Sequence, residues 1–492
     1  MSGRDGRICS GCDKFIEYLL YTIFFFISSS KSVLEVFATI AILLWFVKKS
    51  YELKERIMAK AASYRPGPPR LKSAAAFISM AVVTSVMVYL TILVTIGVVS
   101  KHVEPGYNLL APAAFIPIVF AAAILLSMFY IIISSVANSF DLDLDLKWAS
   151  VGYLLMSIVT ASITTSNITI SSGTLMFKTM EYFLLFLVIT DVINTKEKMV
   201  RSAMAFVFPS FIVGLDGLYQ YFSGYDLFRH FPLFERIKVT ATFKFSNSAG
   251  TFFATVLPLP LSLFMMNAVR GKKRIFLAAA ILAIFASLML TQARAAWLGF
   301  AFAFIFLCVV SGKKKFYALL AVLLLVVALL GVAGPQSLRS QIGSLVNIGK
   351  DASSRDRMII WETGWRMFLD RPIFGHGLGT FMNVFERYRP AGYGEIVYAH
   401  NCLLQVAAET GLAGVLVTLW IAAGMFISGL KRYFREKDVL VKAVSIGFLG
   451  GLLATLVNSL FDTNLYSLPL AVLFWSVAGL SVTKIHYEQP EN

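Results

Sequence analysis

Long apolar stretches, separated by short polar or basic segments, recur from one end of the chain to the other. A stretch of about 20 apolar residues is long enough to cross a bilayer as a helix. The pattern therefore predicts an all-α polytopic membrane protein with about 12–14 transmembrane helices. The first two stretches are short for a full crossing and are also compatible with a shallow hairpin, which would leave about twelve spans. The predicted spans are residues 15–30, 33–48, 73–99, 110–136, 148–166, 174–194, 200–221, 248–268, 273–291, 294–311, 316–334, 400–427, 440–461 and 465–483.

Composition supports this class of protein. Hydrophobic residues make up 58% of the 492 residues, charged residues only 15%, and the mean hydropathy is +0.73. A soluble chain of this length would carry much more surface charge. The net charge of +16 would suggest nucleic acid only if the basic residues formed one soluble patch. They lie instead in short loops between apolar stretches, as the positive-inside rule predicts, so we expect membrane lipids as partners and no nucleic acid.

The basic loops also predict orientation. Residues 48–72, "RGKKR" (270–274), "KKK" (313–315) and "KRYFREK" (431–437) are assigned to the cytoplasm, which is consistent with alternating spans. Both termini are then expected in the cytoplasm, and a small outer loop is expected at about residues 222–247. This gives three predicted regions: N-terminal transmembrane helices (1–334), a periplasmic loop with amphipathic helices (335–399) and C-terminal transmembrane helices (400–492).

Two acidic or cysteine-containing patterns carry little functional signal. Cys9 and Cys12 form a C-x-x-C pair, but a structural zinc site needs four ligands and no second pair follows. Asp141, Asp143 and Asp145 resemble a metal-binding turn, yet the glycine and glutamate of a calcium loop are missing. The orientation also places this turn inside the cell. We therefore interpret it as a solvated acidic turn and predict no metal site.

The outer loop 335–399 contains seven Arg and one Lys against six acidic residues, although outward loops are usually poor in basic residues. Planar guanidinium groups match phosphate and carboxylate oxygens bidentately, so an anionic ligand is one explanation and surface ion pairs are the other. A helix is expected after Ser353–Ser354, with Arg355 and Arg357 at its start. Its apolar stripe would lie on the membrane or on the spans; the stripe is Met358, Trp361, Trp365 and Phe368.

The segment "GHGLG" (375–379) has alternating glycines but lacks the βαβ context of a dinucleotide site. We interpret it as a tight turn after Pro372, with His376 in a structural role.

One further arginine stands at the end of two adjacent spans. The sequence "LTQARAAWLGF" (290–300) places Arg294 in a turn with almost no loop. Arg294 could anchor the helix by reaching the headgroups, or it could bind an anion in a central cavity. We favour the anion site.

A polar stripe opens the span that begins near residue 400, in the sequence "YAHNCLLQVAAETGLAG". Asn401, Gln405 and Glu409 recur every four residues and would share one helix face. His400 stands at the outer end, where it could accept a proton. The stripe would pack against neighbouring helices and fix the position of this first turn. The alternative is polar contact between helices, with a structural histidine.

These residues resemble a known family. "HNCLLQVAAETGLAG" is similar to a signature of the bacterial O-antigen ligase family, which also includes O-antigen polymerases. "TQARAAWLGF" resembles its arginine turn, and "SSRDRMIIWETGWRMFLDRPIFGHGLGTF" resembles its arginine–tryptophan helix with the following glycine segment. "TATFKFSNSAGTF" (240–252) resembles a weaker element, from which Ala241 and Ser248 depart. The resemblance covers roughly residues 200–430 and implies about twelve helices with a helical periplasmic cap.

The resemblance also implies a function in the bacterial inner membrane. It implies that a glycan is transferred from undecaprenyl pyrophosphate to an acceptor sugar without a metal or other cofactor. A base on one face and leaving-group contacts on the other would give in-line displacement, with inversion at the anomeric carbon. His400 matches the essential histidine, and Arg294 and Arg355 match arginines that hold the pyrophosphate. Asn401, Gln405, Glu409 and Arg357 would support them. A general base and preorganised cations suit this chemistry.

Three functions remain open from the sequence. The first is an O-antigen ligase that uses lipid A-core as acceptor and so contributes to lipopolysaccharide biosynthesis. The second is an O-antigen or exopolysaccharide polymerase that uses the same donor. The third is a polysaccharide transporter without chemistry, which would place polar or broken helices near mid-membrane. The polar groups gather at the outer face, which favours the enzymes, and we favour the ligase.

Overall fold

The computed structural model describes residues 3–63, 144–311, 352–390, 394 and 398–487. The described residues are almost entirely helices and short loops, and the predicted all-α polytopic class is confirmed. The helices are α1 Gly3–Phe26, α2 Lys31–Ser63, α3 Leu144–Ser162, α4 Ile168–Thr174, α5 Glu181–Val192, α6 Lys196–Ser223, α7 Ser246–Val256, α8 Pro258–Met265, α9 Lys272–Leu290, α10 Arg294–Ser311, α11 Ala352–Asp370, α12 Phe381–Tyr388, α13 Cys402–Arg435, α14 Val439–Asn458 and α15 Leu468–Val482.

The chain forms two compact units, residues 1–20 with 36–141 and residues 21–35 with 142–492. In the first unit, α1 and α2 are joined by an ion pair between Lys48 and Asp13, whose Nζ and Oδ1 atoms are 2.6 Å apart. Both helices are longer than the predicted spans, with 24 and 33 residues. The spans were predicted from apolar residues alone, whereas both helices continue into the neighbouring polar residues.

The second unit contains most of the helices that lie over predicted spans. Among the described residues, five helices are long and apolar enough to cross a membrane: α6, the continuous pair α7 and α8, α9, α13 and α14. The shorter apolar helices α10 and α15 lie where spans were predicted. The predicted spans 73–99, 110–136 and 316–334 lie outside the described residues, as do Asp141 and Asp143.

Local sequence explains where several helices are interrupted. Pro258 follows α7 and starts α8, because proline suits the first turn of a helix but supplies no N–H for a continuing one. The predicted span 174–194 is one helical run, in which the six-residue π-helical segment Leu175–Met180 joins α4 to α5. α13 is broken at Gly411, whose φ of 68° and ψ of −168° are far from helical values.

The cap consists of α11, α12 and the loops around them. Its core contains Ile360 and Met367 of α11, Phe381 and Phe385 of α12, and Ala399 before α13. The helical period therefore buries the Ile360–Met367 side of α11. Within the predicted stripe, Met358 and Trp365 are each 52% exposed, so they face away from this core, and their contact with the membrane or the spans stays a prediction. α11 already includes Ser353 and Ser354, so the prediction that they cap the helix is wrong.

Candidate functional site

Several helices of the second unit end or begin together beside the cap, and we call this the cap end. α10 runs antiparallel to α14, because Leu307 packs near Gly450 while Gly299 packs against the backbone of Ala454. The start of α10 therefore lies near the end of α14. The N–H of Cys402 donates to the carbonyl of Ser459 at 2.8 Å, which brings the start of α13 to the same place. The predicted residues Arg294 and His400 thus lie at one end of the bundle.

His400 faces an acid that the sequence reasoning missed. Its Nδ1 is 3.5 Å from Oδ1 of Asp462, in the loop after α14. The side chains are 40% and 16% exposed, so a ligand can reach the imidazole while its partner is largely covered. The distance is at the upper limit of a hydrogen bond, and such contacts often shorten when substrate binds. If Nδ1 carries the proton towards Asp462, the other ring nitrogen, Nε2, is left as an acceptor.

The backbone at His400 is held in an unusual conformation. Its φ is +51°, which side chains other than glycine adopt rarely. Asn401 caps α13 by accepting the N–H of Leu404 at 3.0 Å. The side chain of Gln405 accepts the N–H of Ala399 at 3.1 Å. The residues on both sides of His400 are therefore fixed by polar side chains of the first turns of α13.

Glu409 joins three segments around α13. Its Oε2 accepts the N–H of Gly379 at 2.8 Å and the hydroxyl of Tyr466 at 3.2 Å. Its Oε1 accepts Nε2 of Gln405 at 3.1 Å and the N–H of Phe381 at a longer 3.4 Å. A buried carboxylate is tolerated only with such partners. Glu409 therefore connects the glycine loop, the start of α12 and the loop after α14 to the helix that follows His400.

The glycine loop, residues 372–379, fills the break in α13. The carbonyls of Pro372 and Ile373 accept the N–H groups of Leu412 and Ala413 at 2.8 and 3.2 Å, which the kink removes from the helical pattern. The glycines at 375, 377 and 379 all have positive φ, as the predicted tight turn requires. A Cβ at Gly375 would lie 2.4 Å from the carbonyl carbon of Glu409, so only glycine allows this approach.

His376 lies within this loop and is buried. Its Nε2 donates to the carbonyl of Met367 at 3.0 Å. Burial lowers the pKa of His376, and the positive charge of Arg371 lowers it further, although the Met367 carbonyl and Asp370 act in the opposite direction. The His376 ring therefore bonds to another residue of the cap, and this contact stabilises the cap.

Arg294 is the first residue of α10 and is half-buried. The turn before it is closed by the indole of Trp297, whose Nε1 donates to the carbonyl of Leu288 at 3.0 Å. Gly250 of α7 packs directly against Ala293 in this turn, which links two of the sequence elements that resemble the family. Leu298 follows Arg294 by one turn of α10 and has an exposed side chain.

The two arginines at the start of α11 point in different directions. α11 and the first turns of α13 run side by side in the same direction, since Gly364 packs against Leu404 and Pro372 bonds to Leu412. At about 100° per residue, Arg357 lies roughly 20° from Gly364 around the helix, whereas Arg355 lies roughly 180° away. Arg355 is exposed and Arg357 is half-buried. The side of α11 that faces α13 therefore carries Arg357.

Comparison with known proteins bears on the segment that holds most of these residues. Residues 277–419 match the family model described as O-Antigen ligase. The predicted resemblance is confirmed over this segment. The matched segment includes Arg294, Arg355, Arg357 and the polar start of α13, but it excludes Asp462.

Two relatives show weaker similarity. The teichuronic acid biosynthesis protein TuaE of Bacillus subtilis is 25% identical over 137 residues, which is 27% of this chain and 28% of the relative. A provisionally named polysaccharide ligase of Rickettsia conorii is 27% identical over 162 residues, which is 30% of this chain and 38% of the relative. The chain therefore matches well under half the length of either relative. Both names concern polysaccharides, which supports a role in glycan ligation or polymerisation.

Proposed function

We propose that the protein transfers a glycan from undecaprenyl pyrophosphate to an acceptor sugar, most simply lipid A-core. The observation that supports this most directly is the half-buried but accessible His400 beside Asp462 at the cap end. In this mechanism, Nε2 of His400 takes the proton from the acceptor hydroxyl. The oxygen of that hydroxyl bonds at the same time to the anomeric carbon of the donor glycan. The bond from that carbon to the phosphate oxygen breaks, and the pyrophosphate leaves with the electron pair. Attack opposite the leaving group inverts the anomeric carbon.

Cations would stabilise the departing pyrophosphate in place of a metal. We assign this role to Arg294 and Arg357, and the helix geometry favours Arg357 over the earlier assignment of Arg355. At 1.5 Å per residue, Arg357 lies ~10 Å before the contact of Gly364 with Leu404 on α11. His400 stands just before α13, which begins two residues before Leu404, so both residues precede this contact on neighbouring segments. Asn401, Gln405 and Glu409 would hold the base in place.

The orientation that accompanies this proposal places the cap and His400 on the periplasmic face of the bacterial inner membrane, with both termini in the cytoplasm. The donor is delivered within the bilayer, and the cap stands beside the bundle end where donor and acceptor would meet. Because the arrangement uses arginines and a histidine, we expect transfer to continue in EDTA. A strong loss of activity that divalent ions restore would contradict the metal-free mechanism.

The test of the catalytic assignment uses purified protein in liposomes with lipid-linked glycan and lipid A-core. His400→Ala should reduce transfer by about 10²-fold or more, the usual contribution of a general base. Asp462→Asn should reduce the maximal rate more than donor affinity. Glu386→Gln, an exposed acid on α12, is the matched control and should leave transfer unchanged. Near-normal transfer by His400→Ala would remove it as the base.

A polymerase is the second candidate, because one relative is named for teichuronic acid biosynthesis. The two functions predict opposite products in a cell that lacks this protein. Loss of a ligase leaves long lipid-linked polymer and bare lipid A-core, whereas loss of a polymerase leaves core that carries a single repeat. We expect the first pattern. Core with one repeat would assign the protein as a polymerase.

A further inference from the structure

The loop between α6 and α7, residues 224–245, exposes apolar side chains at the cap end. Tyr225, Leu227 and Phe228 are each 56% exposed, and Ile237 and Phe245 are also exposed. The loop is placed at the cap end because the N–H of Val239 donates to the carbonyl of Leu290 at the end of α9. An apolar patch of this kind on a protein surface marks an interaction site.

Buried polar groups hold this loop in shape. The carboxylate of Asp226 accepts the N–H groups of Phe228, Arg229 and Phe231 at 3.0, 2.7 and 2.5 Å. The side-chain oxygen of Gln220 accepts the N–H groups of Thr240 and Ala241 at 2.9 and 2.8 Å. The aromatic residues are therefore presented outwards by a fixed backbone, which prevents them from folding back onto the protein.

The exposed surface of the loop continues the lipid-facing side of a membrane span. α6 carries exposed Leu215, Tyr219 and Phe222 at spacings of four and three, and Phe222 is 84% exposed. α6 is long and apolar enough to cross the membrane. The stripe leads directly into Tyr225 and Leu227. The loop therefore begins where a lipid-facing helix leaves the hydrocarbon, the depth at which aromatic side chains are enriched.

The charges of the loop suit an anionic partner. Arg229, Arg236 and Lys244 are exposed, and none of them forms an ion pair with another residue in the described ranges. Lys238 is paired with Glu235 at 2.5 Å, so it adds little free charge. Arg229 and Lys244 lie 5.7 and 5.4 Å from the rings of Phe231 and Phe245, which keeps cations beside aromatic groups. Basic residues near a bilayer attract anionic lipids.

We propose that residues 224–245 bind the headgroups of anionic phospholipids in the leaflet on the cap side. The aromatic side chains would enter the interface while Arg229, Arg236 and Lys244 contact phosphate groups. This surface would anchor the cap end to the bilayer at a fixed depth, and it does not depend on the transfer reaction.

The first measurement tests contact with the bilayer in the full-length protein. A bimane label is placed at Leu227→Cys in a Cys12→Ser background, because the other native cysteines are buried. The protein is reconstituted with phosphatidylcholine that carries a nitroxide near the headgroup. Quenching at Leu227→Cys should approach that of Phe222→Cys and be several-fold stronger than that of Glu386→Cys on the cap. Quenching no stronger than at Glu386→Cys would overturn the proposal.

The second measurement tests headgroup charge at the same label. Nitroxide-labelled phosphatidylglycerol should quench more than nitroxide-labelled phosphatidylcholine at equal mole fraction. We expect a difference of about fivefold or more if one basic residue attracts the anionic headgroup with its full free energy. The triple variant Arg229→Gln, Arg236→Gln, Lys244→Gln should lose this preference. Neutralising three basic residues of the distant "RGKKR" loop should leave it intact, which provides the matched control. Equal quenching by both lipids would overturn the proposal, and so would abolition of the preference by free glycerol phosphate.

Discussion

Replacement of Gly411 by alanine tests the link between α13 and the cap. The φ of 68° and ψ of −168° belong to a region that is essentially restricted to glycine, and a side chain there costs of order 1–3 kcal/mol. A Cβ would also lie 2.3 Å from the carbonyl carbon and oxygen of Ile373. The glycine loop would have to move, which would break two hydrogen bonds to Leu412 and Ala413 worth about 1 kcal/mol each. We expect a total loss of about 3–5 kcal/mol.

The assay for Gly411→Ala is thermal unfolding of the purified protein in nanodiscs, together with limited proteolysis of the glycine loop. Unfolding should begin several degrees lower, and residues 372–379 should be cut earlier than in the unmodified protein. Gly173→Ala is the matched control, because Gly173 lies in α4 and no atom lies within 4 Å of an added Cβ. A Gly411→Ala protein with unchanged unfolding and a protected loop would refute the reasoning.

Three further predictions concern Glu409, His376 and the two arginines at the start of α11. Glu409→Ala leaves several buried donors without an acceptor, so it should destabilise the protein by about 3 kcal/mol or more in the same unfolding assay, whereas Glu409→Gln should cost less; equal losses would contradict the hydrogen-bond account. Burial lowers the pKa of His376, so the native state binds fewer protons than the unfolded chain below about pH 6.5. The unfolding temperature should therefore fall as the pH drops through that value, and less so in His376→Gln; parallel curves would exclude His376 as the cause. Arg357→Ala should reduce transfer more than Arg355→Ala in the liposome assay, and the reverse order would restore the original assignment.

Hydropathy predicted several membrane helices of the described part within a few residues, although α1, α2 and α13 extend well beyond their predicted spans. The span predicted at 440–461 is α14, Val439–Asn458, and that predicted at 294–311 is α10. These helices are set by runs of apolar residues, which a sequence displays directly. The break in α13 could not be predicted, because Gly411 and Gly414 indicate close packing without specifying which one leaves the helix. That choice depends on Pro372 and Ile373, which supply the missing acceptors.

The polar stripe at the start of α13 could be predicted because its residues follow one another at helical spacing. Asn401, Gln405 and Glu409 form one polar stripe, and the structure places all three in contacts around His400 or the cap. Asp462 could not be found in this way, because 61 residues separate it from His400 and only the packing of α14 against α13 brings them together. In the sequence, Asp462 is marked only by its position directly after a predicted span.

The arginines show a second limit of reasoning from sequence. Arg355 and Arg357 are two residues apart, and either could serve a ligand while the direction of α11 is unknown. The contact between Gly364 and Leu404 fixes that direction, and two residues on one helix are then separated by roughly 200° around its axis.

The position of His400 is set by the cap as much as by the membrane helices. The break at Gly411 separates the first turns of α13 from the long apolar part of the helix, so the bilayer alone cannot orient them. Their contacts run instead to the glycine loop through Glu409, to the end of α14 through Cys402 and to α11 through Leu404. The start of α11 and the first turns of α13 therefore support each other. In the proposed mechanism, this packing would keep the base His400 and the phosphate-binding Arg357 in a fixed relation.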